Sequence, residues 1–418
     1  MKVCLAFYPI DDMGGIINHN EQLCAGFQEL GHEVHTRIFL PRDDIPRNGL
    51  AGGRGTVSPY TNLEFDQRRG YSWPRWACIP YRGEAKKAAV GVLDEFDLVI
   101  WQVAVPTKRA ENRGNVDWID LYHDTVAKQI AVIHDGNFLA SYPWLSVVAD
   151  KLSGLACVHH CAYNSARNLS VPSALIFNPQ DVSVAPDISE TAFNLRNKGF
   201  LSVQTFKAWK HVPELVTAIP YTRNIECHLA GKGIDYYYLT SKDKCKWPGV
   251  WDKALRAGMQ YHDVITNERR DELLRRLTCL VDPSWSHKYA KIGGHFNRVM
   301  IDAILQGAVP IARPLGLGMG AGGEGELFVK DKNCLVIPTD VPAHEYGEWL
   351  TVHCNMSYSK YESIISNGLE LLKYFDRKTV ANEFVALYEG EYTQHGDTSA
   401  EVVTASATAI VGFFNDKS

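Results

Sequence analysis

The 418-residue chain has no uninterrupted apolar run close to the ~20 residues that a membrane-crossing helix needs, so a transmembrane role is not expected. It has 10 cysteines but no Cys-x-x-Cys pair, which removes the usual spacing of a zinc ribbon or a dithiol redox centre. A formal net charge of only -5 gives no global electrostatic argument for a nucleic-acid-binding protein; a local basic patch stays open. The chain also lacks low-complexity tracts and exact internal repeats. What remains is an ordinary soluble composition, 45% hydrophobic and 22% charged, long enough for two hydrophobic cores.

Short apolar runs alternate with helical spacing along most of the chain. Lys2 to Tyr8 is a strand pattern, DDMGG at Asp11 to Gly15 is turn-like, and Leu23, Phe27 and Leu30 recur at helical spacing until Gly31. HEVHTRIFL, DLVIWQVAV, IAVIHDG and LACVHHCAY supply further strands. A second series follows with GFLSVQT, IECHLAG, TCLVDPS and AVPIAR as strands and PELVTAI, NERRDELLRRL and FNRVMIDAILQG as helices. This alternation predicts α/β architecture with parallel sheets covered on both faces. Pro172 to Pro186 reads as a linker. The expected domains are residues 1–180, with an excursion over 41–85, and residues 190–380, with 381–418 a C-terminal helix packing back on the first domain.

Three places carry chemistry. The run IAVIHDGNF ends in His134 and Asp135, an ionisable pair in the loop beyond a strand, where open α/β sheets hold ligands. Gly14 and Gly15 leave room for a ligand to approach backbone amides at a helix N-terminus. Their turn is not Gly-x-Gly-x-x-Gly, so the dinucleotide fingerprint of an NAD-dependent oxidoreductase is not met there. In GGHFNRVMIDAILQGAVPIAR, Asp302 lies on a helix that leads into a strand, and a carboxylate there can accept hydrogen bonds from a ribose. The His-His-Cys run at His159 to Cys161 reads as part of a strand, and no metal site is expected.

That last block resembles the helix-and-strand signature of the retaining GT-B glycosyltransferases, and GLGMGAGGEGELFVKDKNCLVIP is similar to the glycine loop and strand that follow it in that superfamily. Landmarks at GHEV, VIHDGN, IFNPQ, AWKHV, GIDYYY and IDAILQGAVPI place the resemblance nearest to the DNA α-glucosyltransferases of T-even bacteriophages, which modify hydroxymethylcytosine. It implies a GT-B fold, two Rossmann-like domains facing each other across a cleft, and transfer of a sugar from a nucleotide sugar, UDP-glucose or a related UDP-sugar, without an essential metal or bound cofactor. It also implies roles. Lys210 in AWKHV matches the cation on the donor diphosphate and Asp302 the ribose-binding acid. Gly14 and Gly15 match the loop facing the donor, and His134 and Asp135 the catalytic pair beside the reacting carbon. The superfamily's arginine a turn before Lys210 is missing, with Lys207 as a substitute charge, and Gly294 stands where a first acid is usual. Arg298 is a further candidate for phosphate contact.

The excursion points to the acceptor. RRGYSWPRW interleaves Arg68, Arg69 and Arg75 with Trp73 and Trp76, and Pro41 to Arg82 holds seven arginines against four acids. Cations set between aromatics track a phosphate backbone and stack on bases. The expected acceptor is a hydroxymethylated pyrimidine in phage DNA. A polysaccharide, lipid or small-molecule acceptor stays open, as does a catalytically silent sugar-nucleotide or DNA-binding module. The strand at MKVCLAFY in place of a signal peptide, with cysteines scattered without Cys-x-x-Cys pairs, predicts a cytoplasmic setting, that of the infected host cell for a phage protein.

Overall fold

The computed structural model describes residues 1–7, 14–40, 77–81, 83–103, 114–134, 145–159, 162–163, 166, 169–204, 210–231, 247–284, 298–313, 327–338 and 340–392. The chain divides into two units, Met1–Asp181 with Lys373–His395, and Val182–Leu372.

The first unit is built on seven strands, β1 (Lys2–Phe7), β2 (Glu33–Leu40), β3 (Ala77–Pro80), β4 (Leu98–Val103), β5 (Lys128–Ile133), β6 (Gly154–Cys157) and β7 (Ser173–Leu175). All pair in parallel in the order β3-β2-β1-β4-β5-β6-β7. Successive side chains of a strand point to opposite faces, and both faces are covered here. Cys4 and Ala6 of β1 join a layer with Phe39, Trp101 and Tyr122, whereas Val3 and Leu5 join one with Phe27, Phe384 and Leu387. That double burial is why β4 and β5 read as continuous apolar runs. The segment read as a loop up to Arg82 ends in the edge strand β3, and the segment read as a linker contains β7. Strands of four and three residues are too short to show a pattern.

Helix Arg377–Glu389 belongs to the first unit. Val380, Ala381, Phe384 and Leu387 lie in the same layer as Leu23 and Phe27 of helix Gly14–Glu29. A Cβ at Gly154 of β6 would meet the Leu387 side chain at 2.7 Å, so the helix rests directly on the strand.

The second unit has β8 (Asn197–Val203), β9 (Glu226–Ala230), β10 (Gln260–His262), β11 (Leu277–Asp282), β12 (Val309–Ala312) and β13 (Leu335–Val336), all parallel, in the order β10-β9-β8-β11-β12-β13. β11 is buried at every residue. Its core joins Phe200, Leu229 and Val281 of the sheet to Leu215, Leu350 and Ile364 of helices Val212–Ala218, Ala343–Cys354 and Tyr358–Leu369. Among the described residues no helix is long and apolar enough to cross a membrane.

Candidate functional site

Each sheet reverses its strand order once, β1 against β4 in the first unit and β8 against β11 in the second. At such a reversal the helices that follow the two strands leave to opposite faces, opening a crevice at the carboxyl ends where ligands bind. The candidate residues within the described regions gather at these two ends.

In the first unit, Gly14 and Gly15 open the helix that follows β1. His19, one turn on, is fully buried; its Nδ1 lies 2.8 Å from Asn178 Oδ1. Gln102 is the penultimate residue of β4 and wholly buried. His134 follows β5 directly and is half-buried, with Nε2 2.6 Å from Gln102 Oε1. Its ring meets that of His19 edge-on, centroids 4.9 Å apart. Burial, then the neighbouring charge of His19, hold His134 well below the ordinary histidine pKa, so its ring is neutral at pH 7. A neutral ring here is a hydrogen-bonding group, not a fixed cation. Asp135 lies outside the described residues, as do Arg68, Arg69, Trp73, Arg75 and Trp76.

In the second unit, Lys210 is buried just before helix Val212–Ala218. His211 caps that helix in the left-handed region, at φ 48°, and its Nδ1 donates to Glu214 Oε1 at 2.6 Å. Glu214 also accepts from the buried guanidinium of Arg313, which follows β12. Although burial pushes the Glu214 carboxyl up, the His211 hydrogen bond and the Arg313 charge together hold it below the usual range. At the end of β11, Asp282 accepts from the Ser284 backbone N–H at 2.9 Å. Lys207 lies outside the described residues.

Asp302 is in the first turn of helix Val299–Leu305, only 5% exposed. It pairs with Arg270 Nη1 at 2.9 Å, while Nη2 of the same guanidinium reaches Asp271 at 2.7 Å. A carboxylate so engaged keeps only part of its acceptor capacity for a ribose. Arg298 stands immediately before that helix and is half-buried. His159 is not in a strand: β6 ends at Cys157, and His159 Nδ1 accepts from the Ala162 backbone N–H at 3.2 Å. Among the described residues no group of three or more His, Cys, Asp or Glu could hold a metal ion.

Sequence reading missed Gln102, His19, Asn178, Glu214 and Arg313. Gln102 and Arg313 carried the same signal as His134, a polar residue at the carboxyl end of a buried run.

No family model and no curated protein matches the chain. Solved structures do. Anabaena HepE in complex with UDP and glucose shares 15% identity over 93% of this chain and 100% of its own, with a TM-score of 0.63. An α-glucosyltransferase in complex with UDP and a 13-mer DNA containing a HMU base shares 12% identity over 93% and 99%, with a TM-score of 0.64. A glycosyltransferase from Rickettsia africae shares 12% over 93% and 98%, with a TM-score of 0.60. The fold is therefore that of the GT-B glycosyltransferases, with two Rossmann-like α/β domains.

Proposed function

We propose that the chain is a retaining glycosyltransferase that moves a sugar from a UDP-sugar to a hydroxyl on a hydroxymethylated pyrimidine in DNA. The observation that carries this reading is the pairing of His134, at the end of β5 and beside Asp135 in sequence, with Gln102 of β4, the neighbouring strand that borders the strand-order reversal. The fold shared with proteins whose structures hold UDP and glucose supports the donor class. The fold shared with an α-glucosyltransferase bound to HMU-containing DNA, together with the Arg/Trp excursion, supports the acceptor.

In this reading the donor diphosphate meets the cations of the second unit. Lys210 is the first, aided by Lys207 and Arg298; Gly14 and Gly15 offer backbone amides, and Asp302 the ribose contact. Cations placed where the leaving group gains charge stabilise it in the transition state more than in the ground state. Retention without a covalent intermediate requires the acceptor hydroxyl to attack on the face from which UDP departs. Holding both there is chiefly a matter of orientation. Asp135 orients the hydroxyl and takes its proton, and His134 binds sugar oxygens. Arg68, Arg69 and Arg75 track the DNA backbone while Trp73 and Trp76 stack on bases. A base acted on within a duplex must also leave the stack.

The likeness to HepE is as strong as that to the DNA-bound enzyme, so the same transfer to a non-DNA acceptor is the second reading. UDP release from a panel of UDP-sugars, with and without hydroxymethylated DNA, followed by mass analysis of digested nucleosides, separates them. A sugar adduct on the modified base, lost in Asp135→Ala, is the expected result. UDP release with no adduct moves the acceptor to another class, and no UDP release from any donor sinks the transferase reading.

A further inference from the structure

The pair formed by Gln102 and His134 has an orientation that decides what the histidine can do. A neutral imidazole carries one N–H and one lone pair, and whichever nitrogen donates leaves the other to accept. Gln102 Oε1 is a pure acceptor and sits 2.6 Å from His134 Nε2. With Oε1 facing the ring, the pair calls for the His134 proton on Nε2 and the lone pair on Nδ1.

The surroundings keep it so. Gln102 is fully buried within the sheet, beside β5, where Gln102 is in register with Val132. On the other flank stands His19, itself held by Asn178 through a 2.8 Å hydrogen bond in which Nδ1 donates to the amide oxygen. Among the described residues His19 is the one titratable side chain that acts on His134; Gln102 and Asn178 are uncharged. Two histidines in edge-on contact do not both take protons at low cost, since each charge disfavours the other. Two neighbouring strand ends and one helix thus contribute to a single ring's protonation.

We propose that Gln102 is a positioning residue for the sugar transfer: its side-chain carbonyl accepts a hydrogen bond from Nε2–H of His134 and so leaves Nδ1 as a lone-pair acceptor for a sugar hydroxyl of the substrate. The proposal rests on the glycosyltransferase reading for its substrate, but not for its geometry. A hydroxyl can donate to Nδ1 only while that nitrogen is unprotonated. A glutamine at this position fixes the tautomer without adding a charge, whereas a carboxylate would fix the same tautomer and also draw a second proton onto the ring.

The test is nitrogen-15 NMR of the histidine rings in the full chain, with the His134 signals assigned by their loss in His134→Asn. In the wild type at pH 7 the expected pattern is a protonated Nε2 and an unprotonated Nδ1. Gln102→Leu, which keeps the volume and removes the acceptor, is expected to give a mixture of tautomers and a kcat lower by about tenfold, the effect of one misdirected hydrogen bond. Gln102→Glu is expected to keep the wild-type tautomer at high pH, to raise the pH at which the ring takes its second proton, and to add an acid limb to the pH–rate profile that the wild type lacks. A merely structural Gln102 would move neither tautomer nor titration. A wild-type ring protonated on Nδ1, the outcome if the amide turns its nitrogen toward His134, overturns the proposal, and so does a tautomer unchanged in a folded Gln102→Leu. Ring measurements need no turnover. If no UDP-sugar is consumed, the transferase reading fails while the tautomer still decides the role of Gln102.

Discussion

Glu214 joins two strand ends of the second unit by accepting from Arg313, which follows β12, and at 2.6 Å from His211, which caps helix Val212–Ala218 after β8. Its carboxylate therefore fixes the start of that helix and its cap His211, which Lys210 immediately precedes. Glu214→Ala leaves Arg313 buried without this partner and releases the His211 cap. Lys210 then loses its defined position. The expected outcome is a KM for the UDP-sugar raised about tenfold, roughly the worth of one charge-assisted hydrogen bond, with a smaller change in kcat. Glu214→Gln, which keeps one acceptor oxygen, should fall between. Steady-state kinetics over donor concentration checks this, and an unchanged KM in both variants removes Glu214 from the donor site.

Asp302 and Arg270 form a pair with side chains only 6% and 14% exposed. Removing Asp302 leaves Arg270 with Asp271 as its remaining carboxylate, so the loss is that of one charge-assisted hydrogen bond, about 2 kcal/mol. Asp302→Ala should lower unfolding stability by about that amount in a urea titration, and Asp302→Asn by less, because the amide oxygen still accepts. If Asp302 also takes a ribose hydroxyl, Asp302→Asn raises the donor KM with the fold intact. A stable Asp302→Asn variant with wild-type KM would restrict this carboxylate to its structural pair.

Much of this architecture is legible in the sequence because both sheets are parallel and covered on both faces. Such strands are continuous apolar runs, as β5 and β11 are, and a polar residue at their end stands out. His134 was found that way. Gln102 and Arg313 bear the same mark but closed runs that were read only as strands. β3, β7 and β10 are invisible to pattern because their four, three and three residues take their structure from a neighbouring strand. The pairing of Asp302 with Arg270 is not legible either, since it depends on how helix Asn267–Arg276 packs beside helix Val299–Leu305.

The DNA reading predicts a salt signature. Each arginine that neutralises a phosphate releases condensed counterion, so log K falls against log salt with a slope of about 0.9 per contact on duplex DNA. Replacing Arg68, Arg69 and Arg75 together by Ala should flatten that slope by about two to three and weaken binding to modified and unmodified DNA alike. Fluorescence anisotropy across a salt series measures it. Trp73→Ala and Trp76→Ala should weaken binding with the slope retained. A triple arginine variant with an unchanged slope would detach the excursion from the acceptor.

Five histidines held low by burial, His32, His134, His228, His262 and His353, contribute to a pH dependence of stability. His134, His228 and His262 all lie below the ordinary histidine value, burial being the largest cause in each. For His228 the Glu226 hydrogen bond opposes that shift, while for His262 the charges of His228, Arg269 and Arg276 add to it. Between the folded value and the unfolded one near ~6.5, the unfolded chain binds more protons, so stability rises with pH. The stabilisation is complete above ~6.5 and is lost as pH falls toward the folded values. The melting temperature should drop from pH 7.5 to pH 5. His228 Nδ1 is 3.0 Å from His262 Nε2, and the two rings stack at 5.3 Å, so His228→Gln should reduce the slope by removing one titrating ring and the charge that helps hold the other low. A melting temperature flat over this range in the wild type would contradict the assignment.

Gly26 shows how closely helix Gly14–Glu29 approaches the start of helix Arg377–Glu389. A Cβ at Gly26 would fall on the backbone carbonyl oxygen of Arg377 and stand 2.7 Å from its carbon. Backbone cannot turn aside as a side chain can. Arg377 is moreover anchored, with Nε donating to Glu29 at 2.6 Å and Nη1 to Asp181 at 2.9 Å. Its own N–H donates to the Gln180 carbonyl at 2.9 Å. Gly26→Ala must therefore push the two helices apart, and overpacking of this kind costs about 1–3 kcal/mol. Gly91, on helix Ala85–Leu93, is the control. A Cβ there would meet nothing within 4 Å, so Gly91→Ala should stabilise by about 0.5–1 kcal/mol through helix propensity alone. Opposite signs in a urea titration would show that helix Arg377–Glu389 is an integral layer of the first unit. A neutral Gly26→Ala would mean that this contact opens without loss, and Val380, Phe384 and Leu387 would then have to hold the layer by their apolar burial alone.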